Sequence, residues 1–172
     1  MKNIMLLETD KKAIDAITKK APKDAFKHVF MLKRNLYTTD GRVALRIAMD
    51  DITLSDGAYE VLKTEKLGAG GVRLSMLAAP DVITPGFEAI YSSVERLPQK
   101  EQTSIVIDKD DVTLTRAAIR LYKETGNAYN IKYLRHLASY NGGWTVVAYK
   151  KGSSVVLEHD NTCAVILPFM LD

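Results

Sequence analysis

Few residues in this chain have the types and spacing that chemistry requires, and each has a plainer structural role. Asp40 stands in a Thr39-Asp40-Gly41 turn, where a lone carboxylate is able to act as a base or a metal ligand. No second carboxylate is placed to pair with it, and an aspartate in a turn ordinarily accepts hydrogen bonds from nearby backbone N–H groups. His28, His136 and His159 are separated from one another, without a partner at metal-ligand spacing on a helix. Cys163 is the single cysteine, which excludes an internal disulfide and a cysteine metal cage. It lies in an apolar run, where a buried, inert thiol is expected. Leu67-Gly-Ala-Gly-Gly71 has the flexibility of a phosphate-binding loop but lacks the following Gly-Lys-Ser or Gly-Lys-Thr, so it reads as a turn. There is no Gly-x-Ser-x-Gly elbow and no nucleotide fingerprint. The residues imply no cofactor, no metal and no catalytic site.

Binding chemistry is better represented. Lys12, Lys19 and Lys23 recur at helical spacing opposite Ala13, Ile14, Ile17 and Ala21. Lys132, Arg135 and His136 are similarly expected to face away from Ile131, Leu134, Leu137 and Ala138. The formal net charge is only +3 over 172 residues, so attraction to a polyanion depends on where these cations sit rather than on the total.

Two helix-and-strand units position these groups. Asn3 to Leu7 reads as a strand, Thr9-Asp10 as a cap and Lys11 to Ala21 as a helix ended by Pro22. Asp24 to Leu32 is ambiguous between helix and strand. Leu36 to Met49 forms a hairpin about Asp40-Gly41. Asp56 to Lys66 has helical character, Val72 to Leu77 is a strand, and Phe87 to Val94 is a strand or a short helix. Leu97 to Thr103 reads as a loop, and Ser104 to Ile107, Val112 to Ala117 and Ile119 to Lys123 as short strands. The last unit is a helix over Asn130 to Tyr140, stopped by Asn141-Gly142-Gly143. Three strands follow: Trp144 to Tyr149, Val155 to Glu158, and a final strand from Cys163 that Pro168 interrupts. No stretch approaches the roughly 20 apolar residues of a membrane span, and the N-terminal apolar run is too short for a signal sequence. The cytoplasm is therefore the expected compartment.

The end of the chain, a helix, three strands and an Ile166-Leu-Pro168-Phe-Met-Leu171 tail, resembles the last part of the bacterial DNA polymerase III beta subunit, the sliding clamp. Leu36-Tyr-Thr-Thr39-Asp40-Gly41-Arg42-Val43-Ala44-Leu45 resembles that family's Thr-Asp-Gly turn between two strands, which is followed by a basic and an apolar residue. The resemblance covers two separated segments, about a third of the chain. It implies an α+β clamp-like domain with two helices packed on one face of mainly antiparallel sheet. One such domain is expected over residues 1–172, with an insertion around residues 50–103.

In the clamp family the Thr-Asp-Gly loop and the tail form a groove for short peptides of replication proteins. The matching positions are Thr39, Gly41, Arg42, Val43, Leu167, Pro168, Phe169, Met170 and Leu171. The family's helices face DNA, which implies non-specific phosphate contacts from Lys12, Lys19, Lys23, Lys132 and Arg135. The function implied is a sliding-clamp-like processivity or recruitment factor, not an enzyme. Its partners would be DNA and DNA polymerase or other replication proteins, and ring formation would require a homo-oligomer. The alternatives are a clamp-like regulator or decoy that binds replication proteins without encircling DNA, and a small enzyme whose site the sequence does not reveal.

Overall fold

The structure, a computed structural model, describes residues 2–50, 54–97, 99–140 and 143–168. The chain divides into two compact units, Met1–Phe87 and Glu88–Asp172, where the sequence suggests one domain.

The first unit begins with strand β1 (Lys2–Leu7), which runs directly into helix α1 (Glu8–Thr18). Ala13, Ile14 and Ile17 form the buried stripe of α1, which packs against the sheet. The helix starts a turn earlier than Thr9-Asp10 suggests. Leu7 occupies the N-cap without a side-chain bond, and Glu8 and Asp10 lie in the first turn, where a carboxylate suits the positive end of the helix dipole. Asp24–Lys27 forms a 3-10 turn, then come β2 (Val29–Leu32), β3 (Asn35–Thr39) and β4 (Val43–Ala48).

Between Thr18 and Thr39 a stretch of this length suggests barely one strand, yet it holds two. The saving comes from the β2–β3 turn, in which Lys33 and Arg34 both adopt positive φ, 48° and 63°. That geometry gives the tight two-residue connection whose twist matches the strands. It is held by the Lys33 N–H donating to Asp56 Oδ1 at 2.9 Å and by the Arg34 guanidinium donating to the Asp50 carbonyl.

Strands β5 (Gly57–Lys66) and β6 (Gly71–Ala78) complete this unit. Its sheet order is β1-β6-β5-β2-β3-β4, with every neighbouring pair antiparallel. Residues 56–66 are thus a strand rather than a helix. Pairing on both edges and a bulge between Val61 and Lys63 override a weak helical pattern. Gly68–Gly70 is the turn between the two strands.

The second unit contains α2 (Phe87–Glu95, whose first residue ends the first unit), β7 (Gln99–Ile105), α3 (Asp111–Thr125), α4 (Ile131–Leu134), β8 (Trp144–Tyr149), β9 (Val155–His159) and β10 (Thr162–Ile166). The sheet order is β10-β9-β8-β7, again antiparallel. Residues 112–123, read as short strands, form the longest helix among the described residues. Asp110 caps it by accepting the Thr113 N–H at 2.8 Å, and Gly126 ends it with φ at 71°. Leu114, Ala117, Leu121 and Thr125 are its buried stripe. The stretch expected as one helix over 130–140 is a single turn, α4, followed by a 3-10 turn at Arg135–Leu137.

Asn127 ties the end of α3 to the β8–β9 hairpin. Its side-chain amide donates to the carbonyls of Lys150 at 3.0 Å and Ser153 at 3.2 Å, and its oxygen accepts the Gly152 N–H at 2.7 Å. A strand, a helix and three antiparallel strands recur in both units, as β1-α1-β2-β3-β4 and as β7-α3-β8-β9-β10 with α4 inserted. The chain is α+β with antiparallel sheet throughout, and residues 50–103, expected as an insertion, include β5 and β6 of the first unit and α2 and most of β7 of the second.

Candidate functional site

The Thr39–Val43 turn joins β3 to β4 and is built by its own polar groups. Asp40 Oδ1 accepts the backbone N–H of Arg42 and of Val43, both at 2.8 Å. The Thr39 hydroxyl donates to the Val43 carbonyl at 2.7 Å and accepts the Gly41 N–H at 3.0 Å. Asp40 is 7% exposed and committed to the backbone, so it is a structural residue of the turn, as the sequence suggests. Gly41 has φ at 88°, where a side chain would be strained.

These bonds sort the loop residues. Thr39 and Val43 are buried at 4% and 0% exposure and shape the turn, while Gly41 and Arg42 are exposed. Val43 therefore offers no side-chain surface to a ligand in this conformation. Phe26, which the sequence did not single out, lies beside the loop: a Cβ on Gly41 would come within 3.2 Å of its Cε2. The Lys23 ammonium sits over the same ring, 5.8 Å from its centre. Of the tail positions, Leu167 is exposed and Pro168 is half-buried; Phe169, Met170 and Leu171 lie outside the described residues.

The cations assigned to phosphate contact differ in their surroundings. Lys12 pairs with Glu8 at 3.1 Å, and Lys66 reaches the same carboxylate at 3.0 Å. Hydrogen bonds from Lys66 and then Lys12 hold the Glu8 carboxyl below its ordinary value. Lys19, Lys23 and Lys132 are exposed, whereas Arg135 pairs with Asp111 at the start of α3. His136, expected on the outer face with Lys132 and Arg135, is buried at 6% exposure, because the short α4 and the 3-10 turn after it do not continue one helical face.

The second unit presents a different basic surface. Arg116, Arg120 and Lys123 recur at spacings of four and three on α3, with exposed Ile119 between them. No ion pair among the described residues involves them. The spacing was readable in the sequence once residues 111–125 are taken as a helix.

Cys163 and His159, whose side chains are able to do chemistry, lie in the second unit. Cys163 is buried. The His159 ring donates from Nδ1 to the Gly143 carbonyl at 2.5 Å and packs edge-on against Tyr140. It lines an open polar cleft of about 520 Å³ with Gln102, Thr145, Glu158 and Asp160. Among the described residues no group of three or more His, Cys, Asp and Glu is arranged to hold a metal ion. No helix among them is long and apolar enough to cross a membrane.

The sequence matches no family model and no curated protein. Solved structures do match. The Helicobacter pylori beta clamp bound to a DNA ligase peptide aligns with 98% of this chain and 66% of its own, at a TM-score of 0.60 and 11% identity. A putative DNA polymerase III beta subunit from Eubacterium rectale aligns with 99% of this chain and 66% of its own, at 0.57 and 12% identity. The DNA polymerase III beta subunit of Borrelia burgdorferi in complex with a natural product aligns with all of this chain and 65% of its own, at 0.56 and 12% identity. The fold is clamp-like. The chain spans just under two thirds of the length of the clamps it matches.

Proposed function

We propose that this chain is a clamp-like replication factor, acting in the cytoplasm by binding rather than catalysis. It recruits partner proteins through short peptide motifs and contacts the DNA backbone without reading sequence. The observation that carries this reading is the Thr39–Val43 turn, whose internal bonds lock the backbone while Gly41 and Arg42 remain accessible. It is supported by the likeness to a clamp that holds a DNA ligase peptide. Thr39 and Val43 fix the loop, Gly41 and Arg42 meet the peptide, and Leu167, Pro168, Phe169, Met170 and Leu171 supply apolar contacts. Met and Phe suit that role because a flexible thioether and a flat ring adapt to several small motifs.

Lys12, Lys19, Lys23, Lys132 and Arg135 are proposed to attract phosphate, together with Arg116, Arg120 and Lys123 on α3. A homo-oligomer would be needed to encircle DNA, and a monomer that binds peptides would instead act as a regulator or decoy.

The test is affinity for a DNA ligase-derived peptide, measured by calorimetry alongside thermal unfolding. Phe169→Ala is expected to weaken binding about tenfold or more, equivalent to about 1.4 kcal/mol, while leaving the melting temperature nearly unchanged. A large loss of stability, with no peptide binding by the unaltered chain, overturns the recruitment reading.

A further inference from the structure

At the end of β9 the His159 ring is fixed in orientation. Its Nδ1 meets the Gly143 carbonyl at 2.5 Å, and the ring packs against Tyr140 and Trp144, with centres 5.1 and 5.6 Å away. Gly143 is itself held: it is buried, its φ is 85°, and a Cβ on it would lie 2.6 Å from the Ile105 carbonyl oxygen. A carbonyl only accepts, so Nδ1 carries a proton, and in the neutral ring Nε2 presents a lone pair. Asp160 Oδ2 lies 3.5 Å from that Nε2, and both residues line the open polar cleft of about 520 Å³.

Two acceptors this close repel each other unless a cation lies between them. A proton on Nε2 is one such cation, but a charged N–H···O bond draws its atoms to about 2.7–2.9 Å. The observed spacing is longer and suits a metal ion. Zn²⁺ binds imidazole nitrogen at about 2.0–2.1 Å and carboxylate oxygen at about 2.0–2.2 Å, which sets two ligands of a tetrahedral ion about 3.4 Å apart. A histidine that donates its other N–H to a backbone carbonyl also has the tautomer and orientation of a metal ligand. His28 gives the contrast. Its Nδ1 lies 3.1 Å from the Asp24 carbonyl, yet no ion pair among the described residues involves it.

We propose that His159 Nε2 and Asp160 Oδ2 are the protein ligands of a divalent transition-metal site of the zinc class. Water from the cleft completes the coordination. With two protein ligands the ion is exchangeable, unlike a structural zinc with four or a catalytic zinc with three. The nitrogen donor selects against Mg²⁺ and Ca²⁺, which prefer oxygen. The ion ties the β9–β10 turn, through the His159 ring, to the backbone that enters β8. The site goes beyond the recruitment reading and does not depend on it.

The experiment titrates the full, tag-free ¹⁵N-labelled chain with zinc chloride in a non-chelating buffer. A long-range ¹H–¹⁵N spectrum reads the imidazole nitrogens, and an amide spectrum reads the backbone. A saturable shift at His159 Nε2, with Nδ1 keeping its proton and the Gly143 and Asp160 amides moving together, is the expected result. Mg²⁺ at the same concentration should leave these signals in place. Asp160→Asn is expected to weaken Zn²⁺ binding about tenfold or more. Asp160 is exposed with φ at 49°, a conformation that asparagine tolerates, so this change keeps the fold. If His159 Nε2 does not respond at millimolar Zn²⁺, or Asp160→Asn binds as tightly as the unaltered chain, the site is refuted and the two residues form an ordinary ion pair. Saturable shifts centred on His28 or on other carboxylates, or an equal response to Mg²⁺, refute it as well.

Discussion

Replacing Asp40 by alanine tests whether the exposed part of the loop is held by the bonds described above. The carboxylate oxygen Oδ1 accepts two backbone N–H groups at 2.8 Å, those of Arg42 and Val43. Alanine removes the acceptor from both. Arg42 is exposed, so water can replace its bond at little cost, but Val43 is 0% exposed and its N–H would lose its partner inside the turn. A buried donor left without an acceptor costs about 1 to 3 kcal/mol, and the solvated one adds up to about 1 kcal/mol. The expected loss is therefore about 1 to 4 kcal/mol from the first unit. Asp40→Asn keeps an acceptor oxygen and should restore more than half of that. Urea unfolding followed by tyrosine fluorescence and circular dichroism reads the loss, and amide exchange at Val43 reads its location. A loss under about 0.5 kcal/mol, with Val43 exchange unchanged, would show that Asp40 does not hold the turn.

Two further changes test the second unit. Asn127→Ala removes the acceptor of Gly152 N–H and the donors to the Lys150 and Ser153 carbonyls at a position only 5% exposed. It should destabilise the unit by about 2 to 3 kcal/mol in denaturant unfolding, and faster exchange should appear at Gly152. The Thr113 backbone N–H holds the Asp110 carboxyl below its ordinary value of 3.8. A carboxyl with a lowered folded pKa contributes stability above its unfolded value, and that stability disappears as pH falls through the folded value. Exchange protection in the first turn of α3 should accordingly weaken below about pH 4, and Asp110→Asn should flatten that dependence in the same exchange measurement.

How much of this was legible in the sequence depended on whether side chains or backbone decided each element. The β3–β4 hairpin, β1, α1 and the three final strands carry their signals in turn residues and apolar spacing, and the structure has all of them. The β2–β3 turn was missed because its positive-φ residues are Lys33 and Arg34 instead of glycine or asparagine. Helix α3 was missed because Val112, Thr113, Thr115 and Ile119 weight the stretch toward strand. Its cap at Asp110, its glycine at 126 and the buried series Leu114, Ala117 and Leu121 were nevertheless present. Strand β5 carries little alternation of its own, and its pairing with β2 and β6 decides its form. At the loop, the roles of Thr39 and Asp40 follow from residue type. The position of Phe26 depends on the 3-10 turn after α1, a tertiary placement that spacing does not encode.

Peptide recruitment at the loop is the central claim, and amide chemical-shift mapping tests it most directly. The uniformly ¹⁵N-labelled chain would be titrated with a DNA ligase-derived peptide, the class of ligand held by the Helicobacter pylori clamp. Saturable shifts concentrated at Gly41 and Arg42 and in residues 167–171, with little change in the Gly68–Gly70 turn, are the predicted result. Saturable binding whose shifts fall elsewhere, or a peptide that produces no shifts at millimolar concentration, would contradict the account.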